Sequence, residues 1–143
     1  MKVEFRADPD AREIHALIIA KEKTPEVEAL ILRLQRPAQI AAYSERGEAL
    51  LVPDEIIRIY TQQRKVLLDS RRGTFALRSR LYELEEELGD EFVRISNGEI
   101  VNRRCILSLD FSLTGTIRLN LKGGIETYVS RRYVARIRKI FGG

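Results

Sequence analysis

The chain has few of the residues on which disulfides, metal sites and many catalytic sites depend. It contains one cysteine, Cys105, one histidine, His15, and no tryptophan among its 143 residues. A single cysteine cannot form an internal disulfide, so nothing points to an oxidising compartment. One histidine and one cysteine cannot complete a tetrahedral metal site, and neither stands in a motif typical of a Cys/His nucleophile. We therefore expect no metal, no cofactor and no small-molecule substrate, and we predict that the protein is not an enzyme.

Long apolar runs are also absent. No stretch approaches the roughly 18 to 20 apolar residues of a membrane-spanning helix. The start of the chain lacks the continuous apolar run of a secretory signal. These absences predict a cytoplasmic protein. A chain of 143 residues is long enough for one sizeable core with a small extension.

The charge is distributed unevenly along the chain. Residues 1–55 hold 8 Lys and Arg against 11 Asp and Glu, whereas residues 56–143 hold 17 against 10. The second part is therefore where a polyanion would bind. Solvated surface charge is the alternative interpretation, and it is the more common one for an Arg-rich strand surface.

Residues 1–46 have the pattern of a small α+β extension. The apolar spacing predicts strands at Val3–Arg6 and Ile14–Ala20, and a further strand at residues 39–43 before the polar break at residues 44–47. We expect this extension to serve dimerisation or regulation.

A helix is predicted to begin at Thr24 and Pro25. The Thr24 hydroxyl can accept from a free amide of the first turn, and Pro25 needs no partner at that position. We expect Arg36-Pro37 to end the helix. Its apolar residues follow at helical spacing and form one stripe, which consists of Val27, Leu30, Ile31 and Leu34.

Residues 47–143 have the pattern of short strands joined by turns. A hairpin is predicted across Gln62-Gln63-Arg64, and Ser79 is predicted to cap a helix that Gly89 closes. Residues 116–121 alternate, with Ile117, Leu119 and Leu121 inward. The last segment is predicted to be a helix capped by Ser130, whose core side is formed by Tyr133, Val134, Ile137, Ile140 and Phe141.

Arg131 and Arg132 are predicted to occupy the first turn of that last helix. Cations there are mildly unfavourable, by about 0.3 to 1 kcal/mol, so this placement favours an anion opposite them. A phosphate would accept from the open amides, from Ser130 and from both guanidinium groups. Pairing with a carboxylate such as Glu126 or Asp110 explains the two arginines equally well, and the sequence leaves both interpretations open.

Two further polar clusters are candidates for contacts with a nucleic acid. In the first, Arg94, Ser96 and Asn97 lie where a strand reaches a turn. Asn97 could read a base edge, with adenine as the natural match, or could make an Asx-turn with its own backbone. The second cluster is the hairpin tip of Gln62, Gln63, Arg64 and Lys65, which could enter a groove, although most loop tips are polar.

In order and spacing, these stretches resemble the LytTR family of DNA-binding domains over roughly residues 50–141. The resemblance is carried by Phe92–Asn102, by the strand at residues 106–110, by Gly115, by residues 116–121 and by Val129–Val134. It implies a mainly β fold, a sandwich of short antiparallel strands with short helices, bound along duplex DNA at successive major grooves. It also implies contacts by Asn97, by Arg132 and by the tip near Gln63 and Arg64, with two protomers on direct repeats. We therefore expect residues 1–46 to form an extension and residues 47–143 to form the DNA-binding domain.

The extension departs from the arrangement of many family members, which carry a phosphorylated receiver domain ahead of the DNA-binding domain. A receiver domain needs on the order of 100 residues, so aspartyl phosphorylation within this chain is not expected. The extension instead resembles a subgroup of short regulators, in which a membrane protein encoded nearby often restrains the regulator. We hypothesise that the apolar stripe of the first helix serves dimerisation or that restraint.

Two other functions fit the basic second part of the chain. Single-stranded RNA binding would favour exposed aromatic residues, yet most Tyr and Phe residues fall at positions predicted to face the core. An interaction module that binds an acidic protein is the other alternative. Duplex DNA is the preferred partner, with transcription regulation as the predicted function.

Overall fold

The computed structural model describes residues 1–35 and 39–142. The chain forms two compact units, Met1–Pro37 and Ala38–Gly143. This division differs from the boundary expected after residue 46, because residues 40–44 pair with strands of the second unit. The local pattern of these residues does not report which strand they pair with, so the sequence could not assign them to this sheet.

The first unit contains one helix, α1 (Pro25–Gln35). The Thr24 hydroxyl accepts from the backbone N–H of Val27 at 3.2 Å, which confirms the predicted cap. The strands predicted at Val3–Arg6 and Ile14–Ala20 are wrong, since the described residues before Ile40 contain no strand. Alternating side chains do not make a strand unless a neighbouring backbone supplies hydrogen bonds. The predicted helix end at Arg36-Pro37 lies outside the described residues.

The second unit is built from two antiparallel sheets. The strands are β1 (Ile40–Ser44), β2 (Gly47–Leu51), β3 (Ile56–Gln62), β4 (Lys65–Ser70), β5 (Gly73–Leu77), β6 (Phe92–Ser96), β7 (Glu99–Asn102), β8 (Ile106–Phe111), β9 (Ile117–Leu121) and β10 (Ile125–Val129). The seven-stranded sheet has the order β2-β1-β5-β4-β3-β7-β6, and the three-stranded sheet has the order β10-β9-β8. Two short helices, α2 (Leu81–Leu88) and α3 (Val134–Ile140), complete the unit. The prediction of a mainly β fold of short antiparallel strands with short helices is confirmed.

Both faces of the seven-stranded sheet are packed. Successive side chains of a strand point to opposite faces, so Ile100 and Val101 of β7 belong to different core clusters. One cluster includes Leu81 and Leu84 of α2. The other includes Ile137 of α3 and the predicted inward residues of β9, which are Ile117, Leu119 and Leu121. The small sheet and α3 therefore cover one face, close to the ends of β6 and β10.

The helix ends differ from the predictions in detail. Helix α2 begins after Arg80, whose backbone N–H donates to the Glu83 carboxylate at 3.4 Å, so Ser79 is not the cap. Arg131–Tyr133 form a separate 3-10 turn before α3, and the Ser130 side chain makes no cap hydrogen bond. Of the residues predicted to face the core, Ile137 is buried in a core cluster, and Tyr133, Val134 and Phe141 pack against that cluster. Ile140, the last residue of α3, is 36% exposed, so the prediction is wrong for this residue.

Helices of the described part of the chain are all short. None of them has the length and apolar character needed to cross a membrane.

Candidate nucleic-acid interface

The β3–β4 hairpin carries the polar cluster of residues 62–65 at its tip. The predicted hairpin is present, but Gln62 pairs with Lys65, so its turn consists of Gln63 and Arg64 rather than of the three residues 62–64. Both have left-handed backbone conformations, with φ of 51° and 66°. Two positive φ values in succession match the twist of a two-residue hairpin, although side-chain-bearing residues adopt them at a cost. All four residues of the tip are exposed.

The β6–β7 turn carries the cluster of Arg94, Ser96 and Asn97. Two of these residues hold the turn together. The Arg94 guanidinium donates to the Ser96 carbonyl at 2.8 Å and to the Asn97 carbonyl, and it pairs with Glu85 at 2.6 Å. The Ser96 hydroxyl accepts from the Gly98 N–H at 3.2 Å. Arg94 and Ser96 are thus bonded within the chain, whereas the Asn97 side chain is exposed.

Asn97 does not make the Asx-turn that the sequence left open. Its side-chain oxygen Oδ1 instead accepts from the Tyr133 hydroxyl at 3.1 Å. An amide oxygen has two lone pairs, so Oδ1 keeps one acceptor site and the NH₂ group keeps its donors. Tyr133 therefore orients Asn97 without consuming its capacity for a base edge.

Arg131 and Arg132 form the third cluster, and both are exposed. Neither has a carboxylate within 4 Å among the residues that the structure describes. The proposed carboxylate partners are occupied by Arg118, which lies 2.7 Å from Asp110 and 3.8 Å from Glu126. The hydrogen bond from Arg118 lowers the pKa of Asp110, so this carboxylate stays ionised beside Arg118. The carboxylate pairing that the sequence left open for Arg131 and Arg132 is not found.

These three clusters lie at one end of the second unit. The N–H of Thr61, next to the hairpin tip, donates to the Gly98 carbonyl at 2.8 Å. The Ser130 N–H donates to the Ile95 carbonyl at 2.9 Å, which brings the 3-10 turn beside the β6–β7 turn. We call residues 62–65, 96–98 and 130–132 together the loop platform.

Gly98 lies close to the side chain of Thr61. A Cβ atom at this position would lie 2.5 Å from Oγ1 of Thr61 and 3.9 Å from its Cβ. Because only the hydroxyl is too close and Thr61 is exposed, a larger residue would force the Thr61 side chain into another rotamer.

An ion-pair network ties the strands under the loop platform. Arg58 of β3 donates to Asp69 of β4 at 2.8 Å and to Glu99 of β7 at 3.2 Å. The second oxygen of Glu99 accepts from the Thr127 hydroxyl at 2.8 Å. The Arg58 side chain is only 19% exposed. Arg58 therefore links β4, β3 and β7 through the carboxylates of Asp69 and Glu99.

The sequence did not identify three of the residues that shape the platform. Tyr133 was predicted only as a core residue, and Thr61 and Arg58 were assigned no role in a site. Each acts through a contact with a residue more than ten positions away. No local pattern reports such contacts.

Comparison with known proteins identifies the second unit. Residues 48–142 match the family described as the LytTr DNA-binding domain. The chain belongs to the LytTR family. This confirms the resemblance noted from the sequence, and the family is one of DNA-binding domains rather than of enzymes.

Solved and curated relatives agree with this membership. The structure is similar to the LytTr DNA-binding domain of a putative methyl-accepting/DNA response regulator from Bacillus cereus, with a TM-score of 0.70 and 21% identity, over 74% of this chain and 98% of that one. An uncharacterized HTH-type transcriptional regulator of Staphylococcus aureus is 31% identical over an alignment of 142 residues that covers 97% of each chain. Another from the same species is 33% identical over 106 residues, 74% of this chain and 72% of its own.

The helices of this LytTR chain are not arranged as a helix-turn-helix. That motif needs two consecutive helices joined by a short turn, whereas strands separate α1 from α2 and α2 from α3 in the described residues.

Proposed function

We propose that this protein regulates transcription by binding duplex DNA in the cytoplasm, with two protomers on direct repeats. The observation that carries the proposal is that three polar loops, distant in sequence, meet at one end of the LytTR domain with two exposed arginines that have no carboxylate partner among the described residues. The relatives named as transcriptional regulators support the same function.

Each part of the loop platform takes a different role in this proposal. Arg132 and Asn97 contact base edges, because a guanidinium fork suits guanine and an amide suits adenine. Arg131 and Lys65 contact phosphates, which position the domain without reading sequence. Gln62, Gln63 and Arg64 enter the neighbouring groove from the hairpin tip.

Arg94, Ser96 and Ser130 act on DNA indirectly in this proposal. The Arg94 guanidinium and the Ser96 hydroxyl hold the β6–β7 turn that presents Asn97. The backbone of Ser130 docks the 3-10 turn on β6. Their loss would therefore weaken binding by displacing Asn97, Arg131 and Arg132.

A salt titration tests the proposed function. The full chain is titrated against a duplex selected from a random library, its separate single strands and an RNA of the same sequence. A regulator that makes about six phosphate contacts should lose about a thousandfold in affinity for the duplex between 50 and 200 mM salt. A higher affinity for the single strands or the RNA than for the duplex would favour RNA binding. Binding to polyglutamate as tight as binding to the duplex would favour the acidic-protein module. Both results would contradict the proposal.

RNA binding has little support near the loop platform. The most exposed aromatic residues of the described part are Phe5, Tyr82, Tyr128 and Phe111, and none of them belongs to the platform. Stacking of unpaired bases needs aromatic faces beside the positive charge.

Control by a membrane protein remains a prediction from the resemblance to short regulators. The candidate surface is the apolar stripe of α1, where Leu34 is 58% exposed. A Leu30→Glu, Leu34→Glu double variant that stayed folded and dimeric, with unchanged regulation, would exclude both roles predicted for the stripe.

A further inference from the structure

Three cationic side chains line a small pocket at the end of the second unit opposite the loop platform. Arg71 follows β4, Arg104 lies in the 3-10 turn after β7, and Lys122 follows β9. The pocket has a volume of about 240 Å³. Strand β3 runs from this end of the unit to the hairpin tip, and its seven residues span about 20 Å. A ligand of the pocket would therefore lie far from the proposed DNA contacts.

Arg71 and Lys122 are the two cations of this pocket that can accept a further anion. Among the described residues, neither has a carboxylate within 4 Å. The Arg71 guanidinium donates to the backbone carbonyl of Asp54 at 2.8 Å. A guanidinium has five N–H donors and an ammonium has three, so both groups keep donors for a ligand.

The third cation, Arg104, already has carboxylate partners. It lies 3.7 Å from Asp54, which also lines the pocket, and 3.2 Å from Glu91. These two carboxylates are therefore engaged by Arg104, and the charges of Arg71 and Lys122 are not balanced by an ion pair.

The buried residues of the pocket are neutral and hydrogen-bonded. The Asn102 side chain donates to the Ile56 carbonyl at 2.8 Å, and the Cys105 thiol donates to the same carbonyl at 3.6 Å. Burial raises the pKa of Cys105, although Lys122 and Arg71 act against this rise. The thiol thus stays neutral and adds no negative charge that would repel an anion.

We propose that this pocket binds a compact anion with a phosphoryl group, held between Arg71 and Lys122. A phosphate monoester has a charge of about −1.5 to −2 at pH 7 and three acceptor oxygens, so it can pair with both cations at once. A monocarboxylate has only one charge and two oxygens. The volume is below the roughly 300 to 1,000 Å³ of pockets for drug-sized ligands, which favours a small molecule.

Site-resolved NMR tests the proposal on the full chain without DNA, in a buffer free of phosphate. Glycerol phosphate should shift the amide signals of Cys105 and Lys122 in a saturable way, whereas sodium chloride at the same ionic strength should not. Arg71→Gln and Lys122→Gln should each weaken this binding about tenfold, because each removes a charge-assisted hydrogen bond. Arg46→Gln is the matched control, since it removes the same charge from an exposed turn residue outside this pocket.

Two further probes identify the chemical group that is recognised. Inorganic phosphate should compete with glycerol phosphate for the same signals, and acetate should bind at least tenfold more weakly. Acetate binding as tight as phosphate binding would overturn the assignment of a phosphoryl group. Saturable shifts confined to Arg131 and Arg132 would overturn the site, because the anion would then occupy the loop platform.

Duplex binding separates this proposal from the proposed function. The double variant Arg71→Gln, Lys122→Gln should bind the selected duplex as the wild type does. A tenfold or larger loss of duplex affinity would overturn the inference, because the two cations would then contact the DNA backbone. Retained duplex binding without any phosphate binding by the wild type would overturn this inference alone and leave the proposed function standing.

Discussion

Arg132→Ala should separate recognition of DNA from stability of the fold. Arg132 is exposed and has no carboxylate within 4 Å among the described residues, so its truncation should change the free energy of unfolding by less than about 0.5 kcal/mol. A bidentate contact to a base is worth about 1 to 3 kcal/mol. The affinity for the selected duplex should therefore fall about 5- to 150-fold, whereas the affinity for a scrambled duplex should change much less.

Fluorescence anisotropy at fixed salt measures both affinities, and thermal unfolding measures stability. Lys122→Ala is the matched control, because it removes the same charge at an exposed site beyond the opposite end of β10. The control should bind the selected duplex almost as the wild type does. The reasoning is refuted if Arg132→Ala weakens both duplexes equally, or if its melting temperature falls by more than about 4 °C, which corresponds to about 1 kcal/mol in a domain of this size.

Three further substitutions test how the loop platform is held. Tyr133→Phe removes the hydroxyl that orients Asn97, so affinity for the selected duplex should fall about three- to tenfold, as expected for the loss of a net hydrogen bond of about 0.5 to 1.5 kcal/mol. Unchanged affinity would show that Asn97 needs no such support. Gly98→Ala should destabilise the domain by about 0.5 to 1.5 kcal/mol, because the Thr61 side chain must leave its preferred rotamer. Denaturant unfolding should show part of this loss recovered when Thr61→Ala is added. Arg64→Gly should raise the free energy of unfolding by about 1 kcal/mol, because glycine adopts a left-handed φ without strain, and the substitution should also weaken duplex binding. A less stable variant would contradict the strain argument.

Several features of the second unit followed from local pattern. Ile117, Leu119 and Leu121 alternate with polar residues, and the sheet buries these three side chains. The hairpin across Gln62, Gln63 and Arg64 was predicted from its position between two strand patterns. These predictions held because an alternating strand with one apolar face can be buried in only one way.

The extension shows where local pattern failed. Residues 3–6 alternate as strands do, and residues 14–20 form a short, nearly continuous apolar run, yet neither segment is a strand in the structure. Residues 40–44 belong to the large sheet because their hydrogen bonds run to β2 and β5. Strand pairing depends on two segments that can be distant in sequence, so the local sequence of one segment does not show which strand it pairs with.

The sequence alone determined the mainly β character of this LytTR chain, the amphipathic helix α1 and the three polar clusters. The spacing of apolar side chains and the positions of turn residues are visible within a few neighbouring residues. The tertiary structure alone decided that the clusters meet at one end, that Arg118 rather than Arg131 or Arg132 takes the carboxylates Asp110 and Glu126, and that Tyr133 orients Asn97. Each of these depends on distances between residues far apart in the chain, which are set only when the two sheets pack.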